Sequence, residues 1–140
     1  MLLAQVLGQP FFAELRTKQQ LGYLVRCSEE YMNGHVGMKF VVQSSNASNE
    51  KIQQSITDFL DSFSLPEDEF PRFVQGVISK LQVKPTRLAV QFSRRWTEIS
   101  SRNHNFGWRE QAIQLLEELT LEDLRGFWQE LLTRPRFWVH

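Results

Sequence analysis

Two side chains able to hold a polar ligand, Arg16 and Tyr23, fall close together in the stretch Pro10-Phe11-Phe12-Ala13-Glu14-Leu15-Arg16-Thr17-Lys18-Gln19-Gln20-Leu21-Gly22-Tyr23. The stretch reads as the end of a helix running into a strand, so a guanidinium and a phenol meet near one junction. Both are hydrogen-bond donors that can hold a carbonyl oxygen or an oxyanion. Taken alone, each also has an ordinary structural role. Arg16 would pair with Glu14 or cap a helix end, and Tyr23 would open a strand.

Other chemistries find less support. The histidines are His35, His104 and His140, and neither H-x-x-E-H nor H-E-x-x-H occurs. Those motifs place two imidazoles one helical turn apart on a single zinc, with a carboxylate beside them as base. His35 falls in a predicted strand and His104 in a predicted loop, so no metal ligand is expected in this chain. The nucleophile elbow, the P-loop and the dinucleotide fingerprint are all missing. Cys27 reads as a half-buried structural thiol, because neighbouring Arg26 points to the opposite face of a strand. The acidic groups Glu29-Glu30, Glu67-Asp68-Glu69 and Glu117-Glu118 read as solvated helix starts and faces. Trp96, Trp108 and Trp128 lie on apolar helical stripes and read as core.

The bulk numbers narrow the partners. The chain has 140 residues, with 16 basic and 16 acidic side chains and zero net charge. That length supports one domain with a core. The balance of charge argues against nucleic acid as a partner. With one cysteine there is neither an internal disulfide nor a Cys-rich zinc site, and a lone thiol suits a reducing, cytoplasmic compartment. No apolar run reaches transmembrane length, and Met1-Leu2-Leu3-Ala4 lacks a basic signal-peptide region, so no membrane partner is expected.

The elements that must position Arg16 and Tyr23 follow from periodicity. Residues 2–15 read as a helix with Leu3, Val6 and Leu7 on one stripe, interrupted or kinked at Pro10. Gly22 reads as the glycine that ends the helical stretch. Strands follow over Tyr23–Glu30 and Gly34–Ser44, joined by an Asn33-Gly34 hairpin turn. In the second strand Val36, Met38, Phe40 and Val42 alternate onto one face. Helical periodicity then takes over. Ile52, Ile56, Phe59, Leu60 and Phe63 mark one helix. Ser64 to Glu67 has capping-box spacing ahead of the next, which carries Phe70, Phe73, Val74, Val77, Ile78 and Leu81 and holds Pro71 in its first turn. Thr86 is placed to cap a third, burying Leu88, Phe92, Trp96 and Ile99. Trp108, Ala112, Leu115, Leu116 and Leu119 mark a fourth. Thr120 to Asp123 opens a last helix with Leu124, Phe127, Trp128 and Leu131 inward. Phe137-Trp138-Val139 reads as the start of a further strand. The class is α+β: an antiparallel sheet of two to three strands with about six helices packed on one face. Residues 1–140 are expected to form one domain cut at both ends, and a shortened sheet favours self-association through its open edge.

The segment from Pro10 to Val25 closely resembles PFFxxLRTKxQLGYxV of the pitrilysin/insulysin family of zinc metallopeptidases. Phe40-Val41-Val42-Gln43-Ser44, Trp96-Thr97-Glu98-Ile99 with Asn105-Phe106, and Leu119 to Leu124 extend the resemblance over nearly the whole chain. Gln19 stands where the family commonly has an acidic residue. In that family, homologous α+β domains form two bowl-like halves around a closed chamber. The N-terminal half carries an inverted H-x-x-E-H zinc site, and the C-terminal half faces it without zinc. The resemblance implies that this chain is a non-catalytic domain of the C-terminal half. Its partners would be a peptide substrate and the zinc-bearing half of the same protein. It also implies that Arg16 and Tyr23 hold the substrate backbone and stabilise the oxyanion, with no cofactor in this chain and zinc in the other half. The alternative is a structural or peptide-binding domain of a relative that has lost hydrolysis, and a third reading is an unrelated helical interaction module.

Overall fold

A computed structural model describes residues 1–32 and 35–139. The chain begins with α1 (Leu2–Phe12), which widens directly into a π-helical segment, Ala13–Lys18. Strands β1 (Leu24–Met32) and β2 (His35–Gln43) follow, then α2 (Asn49–Ser62), α3 (Phe70–Gln82), α4 (Leu88–Ser100), α5 (Trp108–Glu118) and α6 (Leu121–Thr133). The class is α+β, as the periodicity implies.

The strands pair antiparallel in one register from Leu24 opposite Gln43 to Met32 opposite His35. The expected Asn33-Gly34 turn lies outside the described residues. Alternation puts Val25 and Cys27 on the same face as their partners Val42 and Phe40. That face meets α1, where the Cys27 thiol approaches the Ala4 carbonyl at 3.8 Å. The opposite face is open to solvent and carries a Lys39–Glu30 ion pair of 3.2 Å.

The helix α1 is the centre of the core. Leu2, Leu3, Val6, Leu7 and Phe11 are all buried. Its stripe is wide because the helix is covered by the sheet, by α2 and by α3. Phe11 is fully buried and meets Phe40 of β2 and Phe59 of α2 edge-on, with centroids 5.2 and 5.3 Å away. The ring chain continues from Phe59 through Phe63 to Trp128 of α6, in steps of 5.5 and 5.8 Å. One set of aromatic contacts thus ties the sheet to the last helix. On the other side Gln5 bridges α1 to α3. It donates to the Phe73 carbonyl at 3.2 Å and accepts from Lys80 at 2.6 Å.

Two helix starts are chemically explicit. Ser48 caps α2 by accepting from the Lys51 N–H. Thr120 and Asp123 form a reciprocal capping box at α6, and the Thr120 hydrogen bonds hold the Asp123 carboxyl below its usual range.

Several expectations need correction. Pro10 does not interrupt α1: the helix runs through it to Phe12. The Ser64–Glu67 capping box does not form. Residues 67–69 make a turn, α3 starts only after Glu69, and the Glu67 carboxylate pairs with Arg125. Pro71 does sit in the first turn of α3. Thr86 does not cap α4, whose N-cap is Arg87. The stripe Leu88, Phe92, Trp96 and Ile99 is exposed rather than buried, at 81, 63, 54 and 44%. The only residue α4 buries is Glu98, so the helix turns a polar position inward and nothing among the described residues covers its apolar stripe. Leu115, Phe127 and Val36 are likewise exposed. Phe137 to Val139 pairs with no strand among the described residues, which leaves a two-stranded sheet.

The chain exposes 10123 Å², whereas a compact monomer of this length exposes about 7,600 Å². The exposed apolar side chains of α4 and of the C-terminal residues Phe137 and Val139 contribute to the surplus.

Truncating Phe11 to alanine removes contacts on both sides of α1. The expected cost is about 3–5 kcal/mol, read as a lower urea midpoint with the same slope. A loss under about 1 kcal/mol would show that the ring chain does not hold α1. The Cys27 thiol is pushed up to about 11, first by burial and then by the charge of Glu29. Thiolate is therefore scarce at neutral pH, and iodoacetamide should alkylate the folded chain at least about tenfold more slowly than the unfolded chain. Equal rates would contradict the packing of Cys27 under α1.

Candidate functional site

Arg16 lies in the π segment. Pro10 has no N–H to give to the preceding turn, so the regular ladder is already weakened there. Three residues later the helix widens. The Gln19 N–H reaches the Glu14 carbonyl and the Leu21 N–H reaches the Leu15 carbonyl, both at 3.0 Å. Single π turns of this kind recur at functional positions in helices. Leu15 is fully buried and anchors the segment, and Arg16 emerges beside it, half-buried.

The carboxylate expected to pair with Arg16 is engaged elsewhere. Glu14 accepts from Lys18 at 2.8 Å and from Gln19 at 3.2 Å. Those two hydrogen bonds hold its carboxyl below the ordinary range. The Arg16 Nη1 instead donates to the Gly22 carbonyl at 2.6 Å. Among the described residues Arg16 makes no ion pair, so its remaining N–H groups are free to serve a ligand.

The chain returns towards Arg16 through a tight crossing. Gln20, not Gly22, takes the left-handed conformation, with φ of 52°. Gly22 is needed for a different reason. A Cβ on it would overlap the Gln43 carbonyl oxygen and lie 2.9 Å from the Gln43 carbonyl carbon. The next residue, Tyr23, donates its N–H to that same Gln43 oxygen at 3.1 Å. Tyr23 thus precedes β1 instead of opening it. Its side chain is 61% exposed, and its hydroxyl has no partner among the described residues.

The structure therefore brings Arg16 and Tyr23 to one place, on either side of the Gly22 carbonyl. Both keep donors that no partner among the described residues uses. A shallow groove between the π segment and α2 and another beside α6 do not include Arg16 or Tyr23. Tyr23 is exposed, so a ligand held against it would need a second surface to enclose it. The other candidates do not join it. His35 is exposed on β2 and His104 is exposed in the α4–α5 loop. Among the described residues no group of three or more His, Cys, Asp or Glu side chains could hold a metal ion. His140 lies outside the described residues. None of their helices is long and apolar enough to cross a membrane.

Sequence reasoning missed two parts of this site, the π segment and the Gly22–Gln43 crossing. Pro10 within an apolar helical run was the only local signal for the first. The second depends on a contact 21 positions away in sequence and had no local signal beyond the glycine itself.

Comparison with known proteins places this arrangement. Residues 2–96 match the family described as PQQ synthase PqqF-like, C-terminal lobe domain 4. The human insulin-degrading enzyme is 30% identical over 136 residues, covering 94% of this chain and 13% of that enzyme. A Caenorhabditis elegans protein named "Putative zinc protease" is 26% identical over 138 residues, covering 95% of this chain and 16% of that protein. The crystal structure of pitrilysin superposes with a TM-score of 0.79 at 25% identity, covering 92% of this chain and 14% of pitrilysin. The chain thus spans about one seventh of the length of these relatives. A family match over most of the chain, with a fold and a sequence in agreement, means that it belongs to the insulysin/pitrilysin proteases as a C-terminal-lobe domain.

Proposed function

We propose that this chain is the substrate-holding, non-catalytic domain of an insulysin-like zinc endopeptidase. The observation that carries the reading is a pair of neighbouring residues with unspent donors, Arg16 held on the Gly22 carbonyl and the exposed Tyr23 that follows it. A guanidinium suits the carbonyls of an extended peptide, and a phenol suits the oxygen on which charge develops during amide hydrolysis. Such donors act most strongly in a closed, dry site, and the open face around the pair leaves room for a second wall. That wall would be the zinc-bearing half of the same protein. The name of the nematode relative supports zinc there. When bound, the metal would polarise the scissile carbonyl.

Residues 1–140 act as one domain within the larger protein. Its partners are a peptide and the other half, with no nucleic acid, and its compartment is the cytoplasm. When the chain stands alone, its open sheet edges favour pairing with a second copy.

Replacing Arg16 with alanine or Tyr23 with phenylalanine, in the protein of which this chain forms a part, tests the role. Each should slow peptide cleavage about a hundredfold while leaving the melting temperature within a few degrees of wild type. Unchanged turnover in both variants would overturn the reading. If the unaltered protein binds peptides without cleaving them, the hydrolytic part is wrong and the domain is a peptide-holding surface.

A further inference from the structure

We infer that Gly22 is a positioning residue for Arg16, acting through its backbone carbonyl and its missing side chain. The inference rests on the substrate-holding role of Arg16. Three observations converge on this glycine. Its carbonyl accepts from Arg16 Nη1 at 2.6 Å, a short charge-assisted hydrogen bond. Its α-carbon sits so close to the end of β2 that any Cβ would overlap the Gln43 carbonyl. The Tyr23 N–H donates to that carbonyl, so the same approach also sets the base of the tyrosine.

These contacts do different things. The crossing onto Gln43 fixes where the Gly22 carbonyl lies, because it is bound to the sheet register. The carbonyl then takes one edge of the guanidinium and leaves the others directed outward. An arginine at the end of a π segment would otherwise sample many rotamers, and a flexible donor contributes less than a fixed one. Lysine would be a poorer replacement: its three donors sit on one compact, rotatable ammonium and lack the rigid planar fork that holds the carbonyl on one edge while the rest serves a ligand. Glu14 assists by being already occupied: with Lys18 and Gln19 on it, the carboxylate does not draw the guanidinium away.

The test is a double-substitution cycle in the full protein, combined with a measurement that needs no substitution. Gly22→Ala should lower kcat for peptide cleavage about tenfold or more, because the carbonyl is forced off β2. In an Arg16→Ala background the same change should cost clearly less, about threefold or under, since there is no longer a guanidinium to position and only the effect through Tyr23 remains. Equal losses in both backgrounds would overturn the inference. The unsubstituted chain provides a second arm through ¹⁵N-resolved exchange of guanidinium protons. Arg16 Nη–H should exchange more slowly than that of Arg87 or Arg95, which have no hydrogen-bond partner among the described residues. Exchange as fast as theirs would overturn the inference, including the case in which Gly22→Ala fails to fold. If Arg16→Ala alone leaves turnover unchanged, the substrate-holding role fails. Slow exchange would then still support the clamp, and fast exchange would remove it.

Discussion

The burial of Phe11 is the contact on which the rest of the structure depends. It sits one residue before the end of α1, with no exposed surface, between a ring of the sheet and a ring of α2. Edge-to-face rings at these distances have little freedom to slide. They set the depth and the rotation of α1 against the hairpin. Because the π segment follows almost at once, they also set where the helix widens and where Leu15 enters the core. The end of α1 therefore belongs to the core and to the site together. Arg16 is placed by a residue five positions before it that touches no ligand.

From that anchor the site is built with backbone more than with side chains. The widened turn exposes Arg16, the left-handed Gln20 reverses the chain, and the Gly22 crossing seats it on the end of β2. A left-handed non-glycine residue costs about 1 kcal/mol, and a π turn trades good hydrogen bonds for poorer ones. Such local costs are usual where function, not stability, selects the conformation. The neighbouring polar groups are paired among themselves: Glu14 with Lys18 and Gln19, Tyr23 N–H with Gln43. The Arg16 N–H groups not given to Gly22 and the Tyr23 hydroxyl are left over, as are the exposed side chains of Thr17 and Gln20.

Much of this was legible in the chain itself. Helix and strand order followed from the switch between periods of two and of 3.6 residues, and α1, α2, α3 and α6 bury residues that their stripes named. The proximity of Arg16 and Tyr23 was legible from spacing and from the resemblance of the segment around them. The failures share a cause. Periodicity says which residues would be buried if a partner were present, and α4 has no partner among the described residues. Its apolar stripe meets no surface among the described residues. The capping motif failed at Ser64 because a tertiary contact, Glu67 to Arg125, took the carboxylate, and at Thr86 because α4 begins one residue later, with Arg87 as its N-cap. The Gly22 crossing was invisible because it joins residues far apart in sequence.

The bare stripe of α4 has a thermodynamic consequence. Leu88, Phe92, Trp96 and Ile99 are already in water in the folded chain, and the Phe92 and Trp96 rings, stacked with centroids 6.0 Å apart, shelter only each other. Unfolding has correspondingly less new apolar surface to hydrate. A chain of this length would ordinarily gain about 2 kcal/mol/K in heat capacity on unfolding. This one, measured alone in a scanning calorimeter, should fall clearly below that figure. Its stability curve would then be broad and shallow, so that the temperature of the solvent matters less to the isolated domain than the arrival of whatever dries that helix.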